Sequence, residues 1–308
     1  MFRMFFIPYT HERQSLDDSI QKHRAFVAAA DAGSISRAAQ QLGFSQSAVS
    51  RMIADLEADW GVTLLRRDRS GARLTPEGAE LIGASRALCN QYQALRERVE
   101  EVRGLACGRL RIGTISSVAT HRLPAVIAAF KQDFPGIDYE LLLGDYSEIE
   151  RWLLEGRVDC GFLRKPCSAR LRAVPFERDE LMAVLPAAHP LAVRERVTLA
   201  ELATEPFLAL EHAGVSEVAP LFERDGLPLR PAFTTWDDYA VMAMVERGLG
   251  VAVLPSLILT RAPYDIAVRP LAEPAHRELV FAVRADLDPP RVVKRFADYL
   301  GKSCSLSS

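Results

Sequence analysis

Residues 32–61 read AGSISRAAQQLGFSQSAVSRMIADLEADWG, and their spacing predicts two short helices joined by a tight turn. Gly33 stops the preceding helix. Ser34 is placed to cap the next one, in which Ile35, Ala38, Ala39 and Leu42 recur at helical spacing. Gly43 then breaks the chain, and Ser45 caps a further helix to about Asp59. Two helices joined by a short glycine-containing turn are the helix-turn-helix pattern. The small side chains of Ala38 and Ala39 suit it, because they let the helices approach closely. Working outward, a helix from about Asp17 to Asp31 offers Ile20, Phe26, Val27 and Ala30 for packing against the pair.

The second helix of the pair separates into two faces at about 100° per residue. Val49, Met52, Ile53 and Leu56 form one apolar arc, while Ser47, Ser50, Arg51 and Ala54 lie opposite, with Gln46 in the first turn. Small residues, hydroxyls and one arginine fit a major groove without steric conflict. Gln pairs with adenine, Arg with guanine, and Ser with a base or phosphate. Taken alone, the same face also suits a merely solvated helix.

The next fourteen residues weigh against the solvated reading. Val62–Leu65 reads as a strand, Arg66 to Gly71 as a basic turn, and Ala72–Thr75 as a return strand. This hairpin carries Arg66, Arg67, Arg69 and Arg73 against Asp68 alone, so it can place arginines on phosphates or in a minor groove.

The stretches AGSISRAAQQLGFSQSAVSRMIADLEADWG and LLRRDRSGARLTPEG together resemble the DNA-binding domain of the LysR-type transcriptional regulators, from Phe26 to Gly78. The shared pattern is a Ser-capped helix, Ala-Ala, Ser-Gln-x-x-x-Ser, Leu-Glu, Gly, an arginine-bearing wing and Thr-x-x-Gly. Leu65 and Trp60 stand where many members have Phe and Leu, both as packing positions. The resemblance implies double-stranded promoter DNA as a partner, base contacts from Gln46, Ser47, Ser50 and Arg51, and Arg67 in the wing. Ser34 and Arg69 complete the expected DNA-facing set.

Thr75-Pro76-Glu77 is a helix start, with a hydroxyl cap, proline at the first position and an acid in the first turn. Nothing breaks the helix firmly before about Arg103, which gives roughly 28 residues or about 40 Å. Leu81, Leu88, Leu95 and Val102 recur every seventh residue, with Ser85, Tyr92 and Val99 beside them. One helix cannot bury such a seam, so pairing with a second copy is expected. Packing on the downstream domain would leave the repeat spacing unexplained. Gly104 and Gly108 read as a hinge.

Beyond Arg109, strands and helices alternate. Leu110–Ile115, Ile137–Leu143 and Val158–Leu163 read as strands, and Ala119–Phe134 and Tyr146–Glu155 as helices. A second series has strands at Glu180–Leu185, Pro206–Leu210, Ala232–Thr235 and Gly250–Leu254. Its helices start at about Ser216 and cover Asp237–Arg247. Strand Leu279–Arg284 and helix Arg291–Leu300 close the chain. The alternation predicts a mostly parallel α/β sheet, and about 200 residues predict two such lobes joined by crossing strands.

GRLRIGTISS, VDCGFLR and MVERGLGVAVLP are similar to the effector-binding domain of the same family, which shares its fold with periplasmic solute-binding proteins. The expected fold class is thus α/β with an N-terminal all-α winged helix-turn-helix and a C-terminal two-lobed, periplasmic-binding-protein-like domain. The expected divisions are an extension (1–16), the winged helix-turn-helix (17–77), the linker helix (78–104) and the effector domain (109–308). Its first lobe would hold 109–181 and 284–304, and its second 182–283, with a small-molecule effector in the cleft. Ligands bind beyond the carboxyl ends of strands in open α/β sheets. That places Ser116, Ser117, Arg164, His212 and Trp236 as candidate effector contacts. The two serines, at the start of a helix, suit a carboxylate or another polar group.

The whole chain has 308 residues, 49% hydrophobic and 25% charged, with a formal charge of −2, ordinary for a soluble protein. No stretch reaches the roughly 20 apolar residues of a membrane span. Met1 to Ile7 is apolar but short, and Glu12, Arg13 and Asp17 come after it in place of a cleavage site. A cytoplasmic chain is expected. Five cysteines without a C-x-x-C pair argue against disulfide frameworks and structural zinc. They read as reduced, mostly buried thiols, with a redox pair of Cys160 and Cys167 as the alternative. No dinucleotide fingerprint, P-loop, nucleophile elbow or zinc-protease motif is present, so no enzyme, metal or cofactor is expected. A solute-binding protein without gene control would not need the recognition helix and wing. The remaining expected partners are a second copy, as homodimer or homotetramer, and RNA polymerase, with no membrane.

Overall fold

The computed structural model describes residues 16–68, 71–102, 107–212 and 215–304, and the chain divides into two compact units near residue 105. Residues 1–15 of the expected N-terminal extension and Gly104 lie outside the described residues, and Leu16, counted in that extension, instead opens the first helix.

In the first unit, α1 (Leu16–Ala32), α2 (Ile35–Leu42) and α3 (Gln46–Trp60) are followed by β1 (Leu65–Asp68), β2 (Gly71–Leu74) and α4 (Pro76–Val102). Local chemistry sets these boundaries. The Ser34 hydroxyl accepts the Arg37 N–H at 3.4 Å, and that of Ser45 accepts the Ala48 N–H at 3.2 Å, each satisfying a helix-end donor. Phe26, Ala38, Ala39, Val49, Ile53, Leu56, Leu64 and Ile82 share one buried cluster, so the apolar arc of α3 is its inward face. Glu57 ties α3 to the wing, its carboxylate accepting the N–H groups of Leu64 at 2.7 Å and Leu65 at 3.1 Å.

The wing differs from expectation in its register. β1 begins at Leu65, where the expected strand ended, and Arg66 and Arg67 lie within it rather than in the turn. Arg66 pairs with Arg73 and Arg67 with Ala72, so the hairpin is tighter than the six-residue turn inferred from its charges.

Six strands of the second unit lie in the order β10 (Ala252–Pro255), β6 (Leu171–Pro186), β11 (Ile266–Arg284), β5 (Cys160–Arg164), β3 (Cys107–Thr114), β4 (Gly136–Leu143). β3 runs parallel to β4 and β5, whereas β11 is antiparallel to β5 and β6. A further sheet of β8 (Val215–Ser216), β7 (Phe207–His212) and β9 (Pro231–Thr235) meets β10 through a parallel bridge from Phe207 to Val251. The long β6 and β11 are the crossing strands. Only the tail of each was legible, as Glu180–Leu185 and Leu279–Arg284, because their remaining residues are charged or proline-containing and lack clean alternation.

Helices α5 (Ser116–His121), α6 (Leu123–Asp133), α7 (Tyr146–Leu154) and α12 (Arg291–Cys304) accompany the first lobe. Helices α8 (Leu199–Leu202), α9 (Ala219–Arg224), α10 (Asp238–Glu246) and α11 (Ser256–Leu259) come after β6. The single helix expected from Ala119 is two, with Pro124 in the first turn of α6. Gly108 lies inside β3 and not in a hinge. Pairing along β11 shifts between Pro270 and Ala275, opposite Met182 and Leu181. β11 pairs with β5 from Leu279, so the chain re-enters the first lobe's sheet before residue 284, the boundary expected from sequence.

Thr75 and Gly78, the Thr-x-x-Gly of the sequence, seat α4 on the wing. The Thr75 hydroxyl donates to Thr63 O at 2.6 Å and accepts the Gly78 N–H at 2.9 Å. A Cβ at Gly78 would stand 2.1 Å from the carbonyl oxygen of Leu64, too close for any side chain. Gly78→Ala is expected to cost roughly 2–4 kcal/mol, the range for enforced backbone strain in a packed site. Thermal unfolding followed by circular dichroism checks this; an unchanged midpoint would show that α4 shifts freely against the wing.

Candidate functional site

The outer face of α3 is what its sequence spacing required. Gln46, Ser47, Arg51 and Ala54 are exposed, Ser50 is half-buried, and Val49, Ile53 and Leu56 are buried. Gln46 is partly held in place, since its side-chain oxygen accepts the Ser36 hydroxyl at 3.0 Å. The hydroxyls of Ser45 and Ser47 are bonded to each other at 3.0 Å. Ser34 acts first as a helix cap. Arg69 and the side chain of Arg67 lie outside the described residues. Arg66 and Arg73, counted in the wing but not among the contacts, are exposed and directly opposed across the hairpin. Like charges facing each other there repel, and neither has a carboxylate partner among the described residues. An external anion would relieve that repulsion.

In the second unit, a cavity of about 360 Å³ is lined by both lobes. The first lobe supplies Ser116, Ser117, Asp145 and Tyr146, and the second Glu211, Glu217, Trp236 and Asp238. Three of the five expected effector contacts therefore converge: Ser116, Ser117 and Trp236. Arg164 lines the adjoining recess with Lys165, Cys167 and His276, which shares Glu217 and Arg277 with the cavity, and lies 5.6 Å from the ring centroid of Tyr146 in the cavity wall. His212 ends β7, and its side chain is outside the described residues.

Arg277, on β11, is the residue that sequence reading missed. Its Nε and Nη2 donate to Asp179 at 2.9 and 2.8 Å, Nη2 also to the Ser117 hydroxyl at 2.8 Å, and Nη1 to the Tyr146 hydroxyl at 3.0 Å. Glu217 approaches Nη1 at 3.4 Å and accepts the Tyr146 hydroxyl at 2.6 Å. Burial works against the charge on Arg277, but Glu217, Tyr146 and Asp179 outweigh it and hold the guanidinium protonated above its ordinary range. Burial, reinforced by Glu217, pushes the Tyr146 phenol up, so it stays a neutral donor. The one available signal was an arginine inside a strand-forming run, AHRELVFAVR.

Cys160 and Cys167 are free thiols in settings that disfavour the thiolate. Cys160 is fully buried, and burial followed by the charge of Asp159 raises its pKa; burial and Glu150 do the same to Cys167. Reactive cysteines sit in the opposite, electropositive setting. No group of three metal-binding side chains gathers among the described residues.

A helix-turn-helix with an arginine hairpin, followed in the chain by a two-lobed α/β unit with a polar cavity, defines a DNA-binding regulator with a small-molecule sensor. Similarity to known proteins names the family. Residues 20–79 match the bacterial regulatory helix-turn-helix protein of the lysR family, and residues 103–305 match the LysR substrate binding domain. The chain belongs to the LysR-type transcriptional regulators, which bind DNA and carry an effector-binding domain. It is 34% identical to the probable HTH-type transcriptional regulator LrrA of Synechococcus elongatus, over 92% of this chain and 96% of that protein. With the HTH-type transcriptional regulator TtuA of Agrobacterium vitis it shares 30% identity, over 82% and 85%. Among solved structures, a full-length OxyR variant from Pseudomonas aeruginosa shares the fold, with a TM-score of 0.75 at 23% identity over 94% of this chain and 95% of that one. Full-length CbnR in complex with its target DNA aligns with a TM-score of 0.65 at 25% identity over 92% and 99%.

Asp238 generates a prediction from its electrostatics. Burial, with Glu217 and Asp237 adding and Arg277 opposing, raises its carboxyl from 3.8 to about 6. The protonated form is favoured in the folded chain, so this contribution to stability is complete below pH ~4 and lost as pH rises through ~6. Asp238→Asn should therefore stabilise the chain by on the order of 2 kcal/mol at pH ~8 and hardly at all at pH ~4. Thermal melts at the two pH values measure it; equal gains at both would contradict the electrostatic origin.

Proposed function

We propose that α3 enters the major groove of promoter DNA, with Gln46, Ser47, Ser50 and Arg51 toward base edges and Ser34 near the backbone. The observation that carries this reading is the division of α3 into a buried apolar face and an exposed face of small polar residues and one arginine. Arg67 and Arg69, together with Arg66 and Arg73, place the wing on phosphates or in the adjoining minor groove. The effector occupies the cavity between the lobes, with Ser116, Ser117 and Trp236 at its walls. The chain performs no reaction of its own, works in the cytoplasm, and acts on transcription through contact with RNA polymerase. These roles divide along the chain as 17–77 for DNA, 78–104 for pairing and 109–308 for sensing.

Assembly is read from α4. Leu88 is 47% exposed, Leu95 58% and Val99 45%. These are apolar side chains spaced as one seam, on a helix whose Ile82, Ser85 and Arg86 are buried; Ser85, expected beside the seam, instead faces His23 of the same chain at 3.3 Å. A second copy covering that seam makes a homodimer, from which a tetramer can be built.

Two measurements test this reading. Arg51→Ala is expected to cost roughly 1–3 kcal/mol at the cognate site and to relax preference at one base pair. Electrophoretic mobility shifts on cognate and scrambled duplexes check it, and binding identical to the parent on both would remove α3 from the groove. Replacing Leu88 and Leu95 together by Asp should dissociate the assembly and reduce DNA affinity with it, since charges would be buried in the seam. Light scattering that gives an unchanged mass would place self-association elsewhere.

A further inference from the structure

The charge of the cavity wall identifies a class of ligand. Five carboxylates line the cavity, from Asp145, Glu148, Glu211, Glu217 and Asp238, against the single guanidinium of Arg277. Those carboxylates are not equivalent. Asp145 and Glu148 are committed to the start of α7, where Asp145 accepts the Glu148 N–H at 2.7 Å and Glu148 the Asp145 N–H at 3.2 Å. Glu217 is committed to Tyr146 and Arg277. Arg277 in turn is shared among Asp179, Ser117, Tyr146 and Glu217. Its one positive charge faces the two negative charges of Asp179 and Glu217, leaving none to spare. Asp238 and Glu211 remain, and neither has a cation within ion-pairing distance among the described residues.

Beside them stands Trp236, 72% exposed and part of the same wall. An indole face attracts cations through its quadrupole. The carboxylates do not gather as a metal site would, since no three such side chains converge among the described residues. Spread around a cavity of metabolite size, they suit an organic ligand rather than a bare ion.

We propose that this cavity takes a small molecule carrying a positively charged nitrogen, an amine or a guanidine, with Asp238 and Glu211 as counter-ions and Trp236 as the aromatic wall. The proposal rests on the reading of the cavity as the effector site, and reverses the carboxylate that the two serines alone suggest. The serines do not stand against it, because the Ser117 hydroxyl already accepts from Arg277.

Charges on the elements packed around Asp238 give a second readout. Those that act on its carboxyl are Arg277 on β11, which opposes protonation, and Glu217 ahead of α9 and Asp237 at the cap of its own helix, which favour it; β6, β7 and β11 carry further charged residues, Asp179 and Glu211 among them, while β9 and β10 contribute none. Of the three that act on it, Arg277 is the positive one. An entering cation therefore draws the Asp238 proton off, so that binding near pH ~6 releases protons and binding near pH ~8 does not.

The test uses the full chain and three cationic probes, agmatine, putrescine and L-arginine, with succinate as the anionic control at matched ionic strength. Calorimetry is run in buffers of differing ionisation enthalpy, on the parent and on Asp238→Asn, Asp238→Glu and Ser116→Leu. The expected result is binding of at least one cationic probe and proton release at the lower pH only. Asp238→Asn should weaken that binding roughly ten-fold or more, Asp238→Glu should restore most of it, and Ser116→Leu should obstruct it. Failure of all three cations at millimolar concentration, or cation binding unaltered in Asp238→Asn, overturns the proposal. If succinate binds instead and Ser116→Leu abolishes its binding, the charge assignment falls while the cavity stands as the effector site. Cation binding indifferent to both Asp238→Asn and Ser116→Leu removes the ligand from the cavity altogether.

Discussion

A guanidinium taken out of water costs several kcal/mol unless its N–H groups find acceptors and a carboxylate shares the site, and Arg277 meets both conditions where the two lobes meet. Asp179 supplies the paired charge from the neighbouring crossing strand. Ser117 and Tyr146 supply acceptors from the first lobe, and Glu217 approaches from the second. The same Asp179 accepts the Ser256 hydroxyl and the Leu257 N–H at 2.9 Å each, fixing the start of α11. One ion pair thereby sets the positions of two crossing strands, three helix starts and the floor of the cavity. Removing Arg277 would leave Asp179 as an unpaired buried charge, whereas removing Asp179 would leave Arg277 only the longer approach of Glu217.

The two units differed in how much their sequences revealed, and the reason is range. In the first unit the interactions that set the element boundaries are local: Ser34 with Arg37, Ser45 with Ala48, Thr75 with Gly78. Caps, helical spacing and glycine stops are written in adjacent letters, so the helices and the outer face of α3 could be read directly. The wing was read less well, because strand pairing depends on register across the hairpin and not on the letters of one strand. In the second unit the decisive contacts join Arg277 to Ser117, 160 positions apart, and to Tyr146, 131 positions apart. No pattern within a window of sequence contains them. Ser116, Ser117 and Trp236 were legible because strand ends in α/β sheets are general binding positions. Arg164 obeys the same rule, yet it lines the adjoining recess.

Stability and recognition are balanced differently in the two places. In the helix-turn-helix unit, alanines, leucines and isoleucines fill the core beside a few buried polar groups, Lys22, Ser85 and Arg86, and the exposed face of α3 is left free to present side chains. In the sensor unit the polar groups are inside. Asp238 keeps a carboxyl on a wall where burial disfavours its charge. An asparagine there would have nearly the same shape at lower electrostatic cost, so packing does not account for the acid. Its place in the first turn of α10 favours an acid, and the proposed cation would turn the remaining cost into an attraction when bound.

That attraction need not alter the lobes, however, unless it differs between two of their arrangements. The contacts across the cleft show where a difference can arise. Glu217 reaches over it to the Tyr146 hydroxyl and to Arg277, so the chain's own side chains already tie the lobes. A cation that pairs with Asp238 and Glu211 alone leaves this tie in place and by itself gives no preference between the arrangements. A ligand that instead competed for Glu217 would loosen the tie and favour separation. Whether the lobes respond is thus decided by which carboxylate the ligand engages, and Glu217 is the one already occupied.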